Sequence, residues 1–161
     1  MKRALIPGSF APITIGHYDM VKRCAEMFDE VYVVMFRNTE KEGKGIFTFE
    51  QCFEMLKISV AELPNVKADM SEGLLVDYAA KNGIDVIVKG VRDTIDFEYE
   101  YGLFVINEDI GGIDTMFMPS RPQYKHISST FVRDMIKYGR DITPYVPSGV
   151  GEYIEEITKN K

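Results

Sequence analysis

Arg3-Ala4-Leu5-Ile6-Pro7-Gly8-Ser9-Phe10-Ala11-Pro12-Ile13-Thr14-Ile15-Gly16-His17 opens the chain with a short apolar strand, a break and the start of a helix. Arg3–Ile6 reads as the strand, ending at Pro7-Gly8. A glycine directly after a first strand lets the backbone turn sharply and approach a ligand. Ser9 adds a hydroxyl, and Gly16-His17 puts an imidazole at the beginning of the next helix. Free amides and partial positive charge at a helix N-terminus favour phosphate, and a histidine there can donate to phosphate oxygens. Gly8 or His17 alone is equally a tight turn or a capping histidine. The whole string reads as a phosphate loop, although it is neither a G-x-x-x-x-G-K-[ST] nor a G-x-G-x-x-G sequence.

Working outward, short apolar runs alternate with amphipathic ones. His17–Phe28 is predicted as a helix, with Met20, Val21, Cys24, Met27 and Phe28 on one face. Glu30–Phe36 is a near-continuous β-rich run, as expected of a strand covered on both faces. A polar loop, Arg37–Ile46, leads to a helix from Thr48, where Thr48 and Gln51 form a capping box. Asn65–Asp69 is a weak strand, Leu74–Asn82 a helix stopped by Gly83, and Asp85–Lys89 a buried strand. Phe97–Asp109 reads as a helix, Thr115–Met118 as a strand and Ser129–Tyr138 as a helix, with a final amphipathic helix after Pro147. This order predicts an α/β fold, a Rossmann-like doubly wound parallel sheet in a single domain spanning 1–161. Right-handed crossovers then bring the loops that follow the strands to one edge.

Composition narrows the function. The chain has 161 residues and a net charge of −6, which argues against a general nucleic-acid binder. No apolar run approaches bilayer length, and Met-Lys-Arg followed by a strand is not a signal peptide, so a cytoplasmic protein that binds no membrane is expected. Cys24 and Cys52 lack partners at metal-ligand spacing and read as small core residues. The methionines and aromatics likewise fall mainly at core spacings.

Two further segments follow strands. Lys89-Gly90-Val91-Arg92-Asp93-Thr94-Ile95-Asp96-Phe97-Glu98-Tyr99-Glu100 puts two cations around a glycine and then an acidic helix start. Those cations suit phosphate, although a solvated charge cluster has the same composition. Ile127-Ser128-Ser129-Thr130-Phe131-Val132-Arg133 offers consecutive hydroxyls and amides, read either as an anion nest or as simple N-capping.

The first string resembles the signature of the nucleotidylyltransferase superfamily, G-x-F-x-P followed by H-x-G-H or T-x-G-H. Here the second part is T-I-G-H, with Thr14 in place of the first histidine. That variant, preceded by Pro12-Ile13, is most similar to the phosphopantetheine adenylyltransferases. Lys89–Glu100 resembles that family's R-G-x-R-x-x-x-D-F-E-Y-E. Ile127–Arg133 resembles its I-S-S-[ST]-x-x-R, a motif shared with nicotinamide mononucleotide adenylyltransferases. The family also carries a substrate-binding lysine before an F-[ST]-x-E-E-R-like helix start. Counting from the preceding strand gives Lys41, counting back from Phe47 gives Lys44, and Lys41 is taken. Departures are Ala11 for the usual aspartate, Lys89 for arginine and Cys52 for a helix arginine. Lys89 keeps the charge and loses the bidentate fork.

The resemblance implies transfer of adenylyl from ATP to 4′-phosphopantetheine, giving dephospho-coenzyme A and pyrophosphate. It gives His17 a hydrogen bond to the α-phosphate, and Ser9, Lys41, Leu75 and Lys89 contacts to the acceptor. It gives ATP to Ser9, Phe10, His17, Gly90, Val91, Arg92 and Glu100. The Tyr124–Thr130 segment (Tyr124, Lys125, His126, Ile127, Ser128, Ser129, Thr130) completes the nucleotide site, although His126 by itself reads as structural or exposed. Mg2+ would travel with ATP, since no compact carboxylate site for a resident metal is visible. Coenzyme A feedback and a homohexamer come with the same resemblance. Two rivals stay open: a nucleotidylyltransferase for nicotinamide mononucleotide or a polyol phosphate, and a nucleotide-binding module that has lost catalysis.

Overall fold

The apolar run Glu30–Phe36 forms strand β2 and lies parallel to β1 (Arg3–Gly8), with Ala4 opposite Val31 and Ile6 opposite Val33. The computed structural model describes residues 1–37 and 45–161. Strands β3 (Val66–Ser71), β4 (Val86–Val91) and β5 (Asp114–Pro119) complete one sheet in the order β3-β2-β1-β4-β5, every pair parallel. The chain runs outward from β1 to β3, then returns beside β1 as β4. That reversal opens a crevice beyond the carboxyl ends of β1 and β4, where sheets of this kind take ligands.

Helices cover both faces, so the central strands are apolar on both sides and show no alternation. Ala4, Ile6, Val31, Val33 and Val88 face helices α1 (Ile15–Met27), α2 (Phe49–Val60), α5 (Ser129–Lys137) and α6 (Val150–Lys159). Leu5, Tyr32, Val34 and Ile87 pack on the opposite side with Val76, Tyr78 and Ala79 of α3 (Leu75–Lys81). Cys24 and Cys52 are buried thiols within the first layer, as expected. The Thr48–Gln51 capping box forms, and Gly83 ends α3 with a left-handed φ of 61°.

Several boundaries differ from the sequence reading. Helix α1 begins at Ile15 rather than His17 because Thr14 is its N-cap. Helix α4 spans Thr94–Gly111, starting before Phe97 because the Asp93 side chain accepts from the Asp96 amide. Gly8 is the last residue of β1, paired with Met35, and does not form a turn. The expectation that aromatics and methionines are mainly core fails on α4, an 18-residue helix with no buried residue. Its Ile95, Tyr99, Ile106 and Ile110 are exposed along one stripe at helical spacing, the first two 76% and 68%. Among the described residues no helix is long and apolar enough to cross a membrane.

Candidate active site

The loop from β1 to α1 is built around a reciprocal cap. The Thr14 hydroxyl accepts from the His17 amide at 3.3 Å, and the Thr14 amide donates to Nδ1 of His17 at 3.0 Å. In the usual capping box a glutamate or glutamine at the third helical position makes the return bond. Here an imidazole makes it, and that fixes a tautomer. Nδ1 is an acceptor, so the neutral ring carries its proton on Nε2 and presents a donor there. Burial, helped by the nearby Arg92 charge, pushes the His17 pKa down to about 4. The ring is therefore neutral at physiological pH.

Phe10 holds the same ring from the side. It is 3% exposed, adopts a φ of 42°, and meets His17 edge-on with ring centroids 5.2 Å apart. Gly8 makes this possible: a Cβ there would lie 2.8 Å from Phe10 Cζ. The glycine's role is space for an aromatic ring, where the sequence suggested a sharp turn.

The second and third segments arrive beside this loop. From β4, Lys89 Nζ sits 3.0 Å from Glu100 Oε2 on α4, a charge contact without the alignment of a hydrogen bond. Arg92 forks onto Asp96, Nε to Oδ2 at 2.9 Å and Nη2 to Oδ1 at 3.4 Å, which holds the Asp96 carboxyl below its ordinary range. At the start of α5 the Ser128 hydroxyl accepts from the Phe131 amide. The Ser129 and Thr130 amides precede it in the first turn, where no intrahelical partner exists. Two side chains of α5, Ser129 and Arg133, are turned to the first loop instead. Ser129 Oγ donates to the Pro12 carbonyl at 2.7 Å, and Arg133 Nη1 donates to the Ala11 carbonyl at 2.6 Å.

Two cavities meet at His17. One, of about 260 Å³, is bounded by His17, Gly90, Arg92, Glu100, Tyr124 and the Ile127–Ser129 stretch. The other, of about 360 Å³, is bounded by Ser9, Phe10, Lys89, Gly90 and Tyr99. His17, Met20, Gly90, Glu100 and Ser129 border both. Other expected residues line neither. Leu75 packs against the second core layer, and Val91 pairs with Pro119 in the sheet. Lys125 and His126 are exposed, the His126 ring lying edge-on to Phe131, and the Thr130 hydroxyl accepts from Arg133. Lys41, and Lys44 with it, lie outside the described residues.

The first cavity also contains groups the sequence reading did not single out. Arg121 Nε donates to Asp19 Oδ1 at 3.1 Å, and Arg23 Nη1 approaches Asp19 Oδ2 at 3.5 Å and donates to the Pro119 carbonyl at 2.9 Å. The i,i+4 spacing of Asp19 and Arg23 was visible, whereas the Arg121 partnership spans a hundred residues of chain. Each of these cations, like Lys89 and Arg92, already faces a carboxylate. An incoming polyanion must therefore exchange partners rather than fill a bare positive hole. Among the described residues no group of three metal-ligating side chains converges.

Residues 5–135 match the family model described as cytidylyltransferase-like. Among curated proteins, the phosphopantetheine adenylyltransferase of Corynebacterium diphtheriae is 43% identical over 160 residues, covering 99% of this chain and all of that one. Proteins of the same name from Symbiobacterium thermophilum and Streptomyces coelicolor are 42% and 38% identical, covering 97% and 100% of this chain and 96% and 100% of theirs. In fold, the chain is similar to a putative nicotinate-nucleotide adenylyltransferase from Vibrio parahaemolyticus, with a TM-score of 0.71 at 20% identity over 97% of this chain and 93% of that one.

Proposed function

The chain belongs to the phosphopantetheine adenylyltransferases of the cytidylyltransferase-like family, and from that premise we propose how its residues carry the transfer of adenylyl from ATP to 4′-phosphopantetheine. ATP occupies the cavity beside Arg92, Tyr124 and Ser128, with its phosphates at the Ser129 and Thr130 amides. The acceptor phosphate enters the cavity holding Ser9 and Lys89, with Lys41 as a further acceptor contact by family resemblance. The two substrates meet at His17, whose Nε2–H donates to an α-phosphate oxygen. The observation that carries this reading is the position of that neutral, tautomer-fixed ring between the two cavities.

The chemistry asks for little more. A phosphate monoester, with its second pKa near 6, is already an anionic nucleophile at neutral pH, so no general base is required. One of its oxygens bonds to the α-phosphorus as pyrophosphate leaves. The protein aligns the two polyanions and donates hydrogen bonds to charge that grows on the phosphorus oxygens. Glu100, facing both cavities, holds Lys89 until the acceptor phosphate takes its place. Asp19, Asp96 and Glu100 are each engaged by a cation, which supports magnesium arriving with the triphosphate rather than in a protein cage. The exposed apolar stripe of α4 supports assembly with further copies of this chain, a hexamer by family resemblance. Cytoplasmic location and feedback by coenzyme A belong to the same reading.

The test is an acceptor panel with pyrophosphate release as readout. With magnesium, ATP and 4′-phosphopantetheine should turn over, while ATP with nicotinamide mononucleotide and CTP with glycerol phosphate should not. ATP binding without turnover on any acceptor would overturn the reading.

A further inference from the structure

We propose that Arg133 is a positioning residue for adenylyl transfer, locking the Phe10–Thr14 loop, and through it His17, onto the helix that receives the triphosphate. The proposal rests on the reading of His17 given above. A cation in the first turns of α5, following three hydroxyl residues, would by composition alone be taken for a phosphate ligand. Its geometry says otherwise. Nη1 is committed to the Ala11 carbonyl at 2.6 Å and Nη2 to the Thr130 hydroxyl at 3.1 Å. Arg133 borders neither cavity.

The Ala11 carbonyl is a strategic acceptor because it follows Phe10. A non-glycine residue with a φ of 42° is strained by about 1 kcal/mol or more and keeps that conformation only where its surroundings over-determine it. Two donors from α5 anchor the next two carbonyls in succession, Arg133 to Ala11 and Ser129 to Pro12. Position 11 carries only a methyl group, so the anchor to Arg133 is made through the backbone. With Ala11 pinned, Phe10 keeps its ring over Gly8 and against His17, and Thr14 stays placed to donate to Nδ1. Without the guanidinium, Phe10 is free to relax toward negative φ, and its ring leaves the imidazole. The helix whose first amides take the phosphates thereby also sets the donor that completes the site.

Arg133→Gln and Arg133→Lys test this in the full-length protein, by kinetics and by imidazole 15N spectra of the ligand-free state. The chain has two histidines, so exposed His126 serves as an internal reference. Arg133→Gln should lower kcat about tenfold with less than a twofold change in the ATP KM, as expected for a lost charge-assisted hydrogen bond that acts on the transition state. The His17 nitrogens should move toward the averaged values of a mixed tautomer while His126 stays put. Arg133→Lys, which keeps one donor for the Ala11 carbonyl, should recover part of both effects and carries the test alone if the glutamine variant does not fold. A raised ATP KM with unchanged kcat and unchanged His17 signals would make Arg133 a phosphate ligand and overturn the proposal. The spectra need no substrate, so they report on the brace even if His17 proves dispensable for turnover.

Discussion

The Thr14 amide donates to Nδ1 of His17 at 3.0 Å, while the Thr14 hydroxyl accepts from the His17 amide. One residue thus starts helix α1 and decides which imidazole nitrogen carries the proton. Helix capping and the proposed phosphate contact are the same piece of geometry. The threonine in T-I-G-H is sufficient for this because its backbone amide donates to Nδ1, with its hydroxyl 3.2 Å from the same nitrogen.

The depressed His17 pKa has two measurable consequences. Its 15N titration should have a midpoint near pH 4. Because the unfolded chain takes up the proton near 6.5, burial costs nothing above that pH. Stability is lost as pH falls from about 6.5 toward 4. Urea unfolding of the wild type should therefore weaken relative to His17→Ala across that window. A midpoint near 6.5 would show that the ring is not enclosed.

Gly8→Ala should act on catalysis through Phe10. The added Cβ meets three ring atoms at 2.8 to 3.1 Å, so the ring must shift off His17. A loss of about 1–3 kcal/mol in stability is expected for such overpacking, with a fall in kcat larger than the fall in acceptor binding. Thermal melts and saturation kinetics check both. Unchanged kcat would separate Phe10 from the chemistry.

Glu100→Gln removes the carboxylate that faces Lys89 at 3.0 Å. The freed ammonium should bind the acceptor phosphate better, lowering its KM about two- to fivefold at low salt, a partly screened charge effect. An acceptor KM that is unchanged or higher contradicts the competition between carboxylate and substrate.

On α4, Ile106→Glu places a charge in the exposed stripe without touching a buried residue. Native mass measurement should find the wild type assembled and the variant reduced to smaller species. A monomeric wild type would refute the proposed use of this face.

The strands were legible because β-branched runs buried on both sides have little other explanation, and Glu30–Phe36 is the plainest case. The loops that carry the site were legible as strings of unusual residues. Their roles within the site were less so. Asp93 was read as part of a charge run, and its work as the N-cap of α4 depends on the backbone bend after Arg92. Gly8 was read for conformational freedom, yet its purpose is to make room for a ring two residues later. Arg121 with Asp19, and Arg133 with Ala11, join residues a hundred or more apart, and no local pattern encodes such pairs. That helix α4 turns its apolar residues outward was not legible, because aromatic spacing alone does not say what a face packs against.

The central claim is that a neutral His17 donates to the phosphate under attack, and saturation kinetics of His17→Ala with ATP, magnesium and 4′-phosphopantetheine test it most directly. Loss of one such donor should raise the barrier by about 2–4 kcal/mol, a fall in kcat of roughly 30- to 1,000-fold, with the fold intact by circular dichroism. A folded variant that turns over at the wild-type rate would contradict the account.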